Sequence, residues 1–141
     1  MNMIRLQVCL VCAAWLVGAG PAAALDGGVV VANPSVPGSK LSAVALKDIY
    51  TGRTTYWPDG QPVIIIVLAG DDDTALKSAS GMDASQFRTY WQRLVFSGRG
   101  QQPKKADDAV TLLALVAATK GAIALMPTDA IYAGIKKLEV K

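Results

Sequence analysis

LSAVALKDIYTGRTTYWPDGQPVIIIV, running from Leu41 to Val67, is the stretch that decides the fold. Leu46, Ile49 and Tyr50 stand at i, i+3 and i+4, which places them on one face of a short helix. Ser42 supplies an N-cap hydroxyl, and Gly52 follows where the C-terminal cap needs a residue that tolerates positive φ. Pro58-Asp59-Gly60 is a turn: proline presets φ, aspartate bonds the local backbone, and glycine accepts a left-handed conformation. Val63 to Val67 is then an unbroken branched run, the mark of a strand covered on both faces. The remaining chain is organised around this helix–turn–strand unit.

The N-terminus reads differently. Arg5 gives a small positive charge, Leu6 to Val17 is almost continuously apolar, and Gly18, Gly20 and Pro21 break the run. Ala22-Ala23-Ala24 then offers the small-residue pattern of a secretory cleavage site, so residues 1–24 read as a signal peptide and 25–141 as the mature domain. The apolar run is shorter than the roughly 20 residues a membrane anchor requires. The expected compartment is periplasmic or secreted, with no stable membrane insertion after cleavage.

Composition then narrows the chemistry. Both cysteines, Cys9 and Cys12, lie inside the apolar leader, and the chain has no histidine. The mature domain therefore lacks a thiolate nucleophile, a disulfide and the commonest general base and zinc ligand. A Ser/His/Asp or Cys/His site is excluded. The aspartates fall in turns and at helix starts, which does not suggest the facing acids of a glycoside hydrolase. No enzyme activity and no cofactor are expected. The charge balance is only slightly basic, and the Lys104-Lys105 and Lys136-Lys137 pairs read as solvated faces, too scattered for nucleic acid.

Along the mature chain, Val29 to Ala32 reads as a strand, and Asn33 to Lys40 as a proline- and glycine-interrupted loop. Asp71-Asp72-Asp73 can be a cation site, but no calcium-loop spacing follows it; the preferred reading is the acidic first turn of a short helix. Asp83 and Gln86 form a capping box. The helix it opens carries Phe87, Tyr90, Trp91, Leu94 and Val95 on one face, a core stripe, with Arg88 and Arg93 pointing away. Gly98-Arg99-Gly100 lies in a polar loop that can bring backbone amides to an anion or simply turn the chain. Asp107 and Asp108 open a further helix, with Val110, Leu113 and Ala117 on its inward face and Leu112, Leu115 and Val116 broadening it. Gly121 ends it, Ala122 to Met126 is a second buried strand, and a turn at Pro127 leads to a helical piece around Ile131 and Tyr132. Lys137 to Val140 closes the domain as an edge strand blunted by lysines. The order predicts an α/β fold, a mixed sheet flanked by helices.

In such folds ligands sit beyond strand ends beside helix N-termini, where anions are favoured. The loops after the first two predicted strands, 33–39 and 69–74, are therefore the candidates. Asn33, Ser35, Ser39 and Ser42 are the expected ligand-binding residues, with cap and turn roles as the alternative for each serine. No metal site is expected.

Three stretches also carry a family resemblance. LKDIYTGRTTYWPDG (Leu46 to Gly60) resembles the Asp-Ile-Phe, x-Gly, then Trp signature of phosphate-type periplasmic substrate-binding proteins of ABC transporters. YWQRLVFSGRGQQP (Tyr90 to Pro103) is similar to a segment of the short members of that group. TKGAIALMP (Thr119 to Pro127) resembles their Gly-Ala-Ile-Gly-Tyr strand through Gly121, Ala122 and Ile123. The resemblance implies one lobe of a type 2 periplasmic binding protein, where full members have two lobes that clamp the ligand. It implies non-enzymatic binding of a phosphate-like anion and an ABC transporter permease or membrane sensor as partner. The Ser-Gly-Thr phosphate motif is replaced here by Ala69-Gly70-Asp71-Asp72-Asp73-Thr74, and Gly-Tyr by Ala124-Leu125. These replacements favour a second reading, an interaction module that keeps the fold without the solute. Cleavage after Ala24 is checked by the intact mass of the exported protein, which should begin at Leu25.

Overall fold

The computed structural model describes residues 28–69, 73–126 and 134–141. The expected leader, Gly70, Asp71 and Asp72, and the stretch from Pro127 through Ile131 and Tyr132 lie outside them. Among the described residues the strands are β1 (Val29–Ala32), β2 (Lys40–Leu41), β3 (Ile64–Leu68), β4 (Lys104–Ala106), β5 (Ala122–Met126) and β6 (Lys136–Val140). They form one mixed sheet in the order β2-β6-β1-β5-β3-β4. The helices are α1 (Ala43–Tyr50), α2 (Thr74–Ser80), α3 (Ala84–Phe96) and α4 (Ala109–Ala118). The α/β fold expected from the sequence is the one observed.

Direction within the sheet matters for any site. β3 pairs in parallel with β4 and β5, and β2 with β6, whereas β1 is antiparallel to both β5 and β6. Five strands therefore end at one edge of the sheet, and β1 begins there. The loop after β1 accordingly lies at the edge opposite the loop after β3, so the two loops expected to share a site are separated.

The branched run behaves as its composition requires. Ile65 joins a core with Val30, Ile123 and the inward residues of α1, α2 and α3, while Ile66 faces a second core with Val31, Ala124 and α4. Period-2 alternation thus feeds two helix layers from one strand. Ser42 caps α1 through a bond from Ala45 N to its Oγ (3.0 Å). Gly52 takes φ +72, and Gly60 takes φ +90 with its N–H bonded to the Trp57 carbonyl. The capping box forms in full: Asp83 Oδ1 accepts from Gln86 N (2.8 Å) and Gln86 Oε1 accepts from Asp83 N (3.1 Å). Phe87 and Trp91 are buried, while Arg88 and Arg93 are exposed.

Three details depart from expectation. α4 buries Leu112 and Val116, whereas Val110 is 78% exposed and Ala117 is also exposed. An almost wholly apolar helix gives periodicity little contrast, and packing chose the other face. β6 is not an edge strand, because β2 pairs with it and takes the edge. The opposite edge is β4, a strand not expected from the sequence, whose Lys104 and Lys105 are exposed as the solvated-face reading has them.

The loop after β1 is fixed by side chains. Asn33, only 6% exposed, donates through Nδ2 to the carbonyls of Val116 (2.8 Å) and Ala117 (3.0 Å), and its Oδ1 accepts from Ser35 N. It closes the C-terminal end of α4, whose last carbonyls have no intrahelical partner. Trp57 Nε1 donates to the Gly121 carbonyl at 2.9 Å. Gly121 has φ +76, and a Cβ there would collide with the Pro62 carbonyl oxygen. Replacing Asn33 with Ala should remove both bonds, leave the buried Val116 carbonyl without this partner and cost about 2 kcal/mol; for a domain of this size that is a fall in Tm of roughly 5–10 °C. Gly121→Ala combines strain with collision and should cost at least as much. Tyr50→Phe removes a buried hydroxyl with no partner among the described residues, and should leave Tm unchanged or raised. Thermal unfolding followed by circular dichroism checks all three.

Candidate functional site

Three helices begin at the edge where β2, β6, β5, β3 and β4 end, the kind of position at which α/β folds hold ligands. α1 starts after β2, α2 after β3 and α4 after β4. Each helix start carries partial positive charge and unsatisfied N–H groups. Gly28 leads β1 into this edge, where a Cβ would press on Ala75 and the Met126 carbonyl. Only glycine lets the backbone come that close to α2 and β5.

Much of the donor capacity at this edge already has a partner within the chain. At α1, Ala43 N donates to the Lys141 carbonyl (3.0 Å) and Ala45 N to Ser42 Oγ. At α4, Thr111 N donates to Asp108 Oδ1 at 2.6 Å. That backbone bond, with the Thr111 hydroxyl, holds the Asp108 carboxyl below its ordinary pKa. α2 differs: its N-cap Asp73 makes no capping bond, and the carboxylate instead accepts from Ala84 N at the start of α3 (2.9 Å). Asp73, Asp107 and Asp108 add negative charge to an edge whose helices attract anions. Among the described residues no cluster of three or more metal-ligating side chains occurs.

The four residues expected to bind a ligand do not gather in one place. Ser42 lies at this edge, as the α1 cap. Asn33 and Ser35 lie at the opposite edge, where Ser35 Oγ accepts from Gly121 N (3.1 Å) and the Ser35 carbonyl accepts from Gln61 Nε2 (2.9 Å). Ser39 is exposed just before β2, its carbonyl accepting from Glu139 N. The Gly98-Arg99-Gly100 turn likewise uses its own amides, Gly98 N bonding to the Val95 carbonyl and Arg99 N to that of Leu94. Gly100 lets the loop lie against Trp91, whose ring a Cβ would crowd.

Two grooves flank that loop, unannounced by any motif. One, of about 290 Å³, opens between Thr54–Tyr56 and the 98–102 turn and is lined by Arg99 and Lys104. The other, of about 240 Å³, lies between α3 and the ends of β3 and β4, with Phe87 and Trp91 on its walls and Arg88 and Lys105 beside them. The only sequence signal was the density of Arg, Lys, Gln and Gly between positions 98 and 105. No helix among the described residues is long and apolar enough to cross a membrane.

The bond at Asp108 fixes a pH dependence. A carboxyl with a depressed folded pKa contributes stability above its unfolded pKa and loses it as pH falls through the folded value. The Tm gap between the wild type and Asp108→Ala should therefore be greatest near neutral pH and close below the ordinary carboxylate range. Melting curves across that range check the sign.

No protein-family model matches the sequence, and no curated protein matches it. The fold does match solved structures. An ABC-type phosphate transport receptor from Vibrio cholerae superposes with TM-score 0.56 at 18% identity, covering 83% of this chain and 47% of that one. A Clostridium perfringens protein, described as a phosphate ABC transporter substrate-binding protein and solved with bound phosphate, gives TM-score 0.55 at 20% identity, covering 83% and 46%. The chain spans about half the length of each, and at these identities the likeness is one of fold. The described chain has the architecture of roughly half of an ABC-transporter phosphate-binding protein.

Proposed function

We propose that this chain is a secreted, periplasmic, non-enzymatic solute-binding domain that holds a small anion such as phosphate. The observation that carries the reading is that three helices, α1, α2 and α4, begin along one sheet edge, in a fold shared with phosphate-binding receptors. Helix starts stabilise anions through oriented N–H groups and the helix dipole. Of the residues expected to take part, Ser42 is the one at that edge. Binding needs no cofactor, and a transporter permease or membrane sensor is the partner such a receptor would address.

A second reading has its own support. The starts of α1 and α4 are already capped by Ser42, the Lys141 carbonyl and Asp108. An edge so provided for needs no solute, which favours an interaction module that uses the same fold to present a surface.

Calorimetric titration of the exported protein with phosphate and then sulfate separates the two. Micromolar binding of phosphate supports the receptor; silence with both anions, from a sample folded by circular dichroism, supports the module. The aspartate run gives a further test. Replacing Asp71, Asp72 and Asp73 together with Ser should strengthen anion binding by removing like charge, and an unchanged affinity would remove that loop from the site.

A further inference from the structure

We propose that the outer edge of β4, with the two grooves beside it, is a docking surface for an acidic, extended polypeptide that adds to the sheet as a further strand. β4 ends the sheet, so one side of its backbone is unpaired among the described residues. The Ala106 carbonyl accepts from Ala69 N (2.8 Å), turning Ala106 toward β3. Because N–H and C=O of one strand residue point the same way and alternate along the strand, Lys105 presents both of its groups outward. Pro103, which has no N–H, offers only its carbonyl on that side.

The charge around this edge selects the occupant. Arg99 and Lys104 line one groove and Arg88 and Lys105 the other, and among the described residues no carboxylate lines either. None of the four is held in an ion pair among the described residues. Lysines on an edge strand ordinarily discourage pairing. They do so here against a second copy of this chain, whose own Lys104 and Lys105 would stand opposite as like charges. An incoming strand with glutamates or aspartates meets the reverse condition, with main-chain donors and acceptors free to pair. Trp91 borders both grooves, and Phe87 and Leu68 line the second, so alternate apolar side chains of the guest have somewhere to go. This is strand addition, in which backbone bonds supply affinity and flanking pockets supply selectivity. The surface is distinct from the helix-start edge, so the outcome with phosphate does not decide it.

The test uses the full chain, isotopically labelled, and a capped peptide of four Glu-Val repeats. Saturable binding is expected, weakening with added salt, with the Lys105 amide shifted and protected from hydrogen exchange. Lys105→Pro should abolish binding while preserving Tm, since the lost N–H points away from β3 and proline is tolerated at such positions. Should that variant not fold, the double reversal Lys104→Glu/Lys105→Glu serves: it should lose the Glu-Val peptide and take up a Lys-Val one. Neutralising both as Lys104→Gln/Lys105→Gln should weaken binding about tenfold, on the scale of two cross-strand charge pairs. Absence of binding, equal binding of the Lys-Val peptide by the wild type, or undiminished binding by a folded Lys105→Pro would each overturn the proposal. So would an oligothymidylate of matched charge binding as tightly, which would reveal a general polyanion patch.

Discussion

The structure depends on one carboxamide. Asn33 uses both amide hydrogens on the last turn of α4, its side-chain oxygen on the turn that follows β1, its N–H on the Ala122 carbonyl and its carbonyl on Val36 N. A single buried residue thereby joins β1, β5 and α4 with its polar groups satisfied, as burial requires. Asp at this position would remove both amide donors and turn a carboxylate toward two carbonyls. Lys136 Nζ, bonded to the Val36 carbonyl, and Gln61 Nε2, bonded to that of Ser35, hold the same turn from other directions.

The stretches that carry the family resemblance meet one another in space, and their joints are structural. Trp57 donates its indole N–H to Gly121, the glycine of the third stretch. Trp91, in the second, donates to the Tyr50 carbonyl in the first (3.0 Å) and packs where Gly52 leaves room. Tyr90 bonds the Thr51 carbonyl (2.7 Å). These residues hold helices to strands and turns to helices. The fold alone therefore accounts for the residues of these three stretches that meet.

What the sequence disclosed follows from the same physics. α1, the Pro-Asp-Gly turn, β3, α3 and β5 were legible because each carries its own local signal: a cap, a glycine at positive φ, a branched run, or an aromatic stripe at helical spacing. β2 and β4 were not. They have two and three residues, carry lysines, and exist because distant strands pair with them, Lys40 with Glu139 and Lys104 with Ile66. The direction of β1 is equally non-local, being set by its pairing with β5 across the whole chain. That one direction separated the candidate loops, so four polar residues grouped by sequence came apart in the fold. The inward face of α4 was obscured for the opposite reason, since nearly every residue of that helix suits a core.

The two places proposed to receive negative charge differ in kind. At the helix-start edge the attraction is short-ranged and acts separately at each of three helix starts spread along the sheet, so each start suits a compact anion. There Asp108 and the Lys141 carbonyl already occupy donors, and the carboxylates of Asp73 and Asp107 compete with an incoming anion for the positive helix ends. At the β4 edge the donors and acceptors lie along a line, and the cations Arg88, Arg99, Lys104 and Lys105 flank it, with no carboxylate in either groove among the described residues. A compact anion gains little from such a line; an extended acidic chain matches its spacing residue by residue. The two proposed sites therefore differ in the shape of ligand that each edge suits: a compact anion at the helix starts, an extended acidic chain along β4.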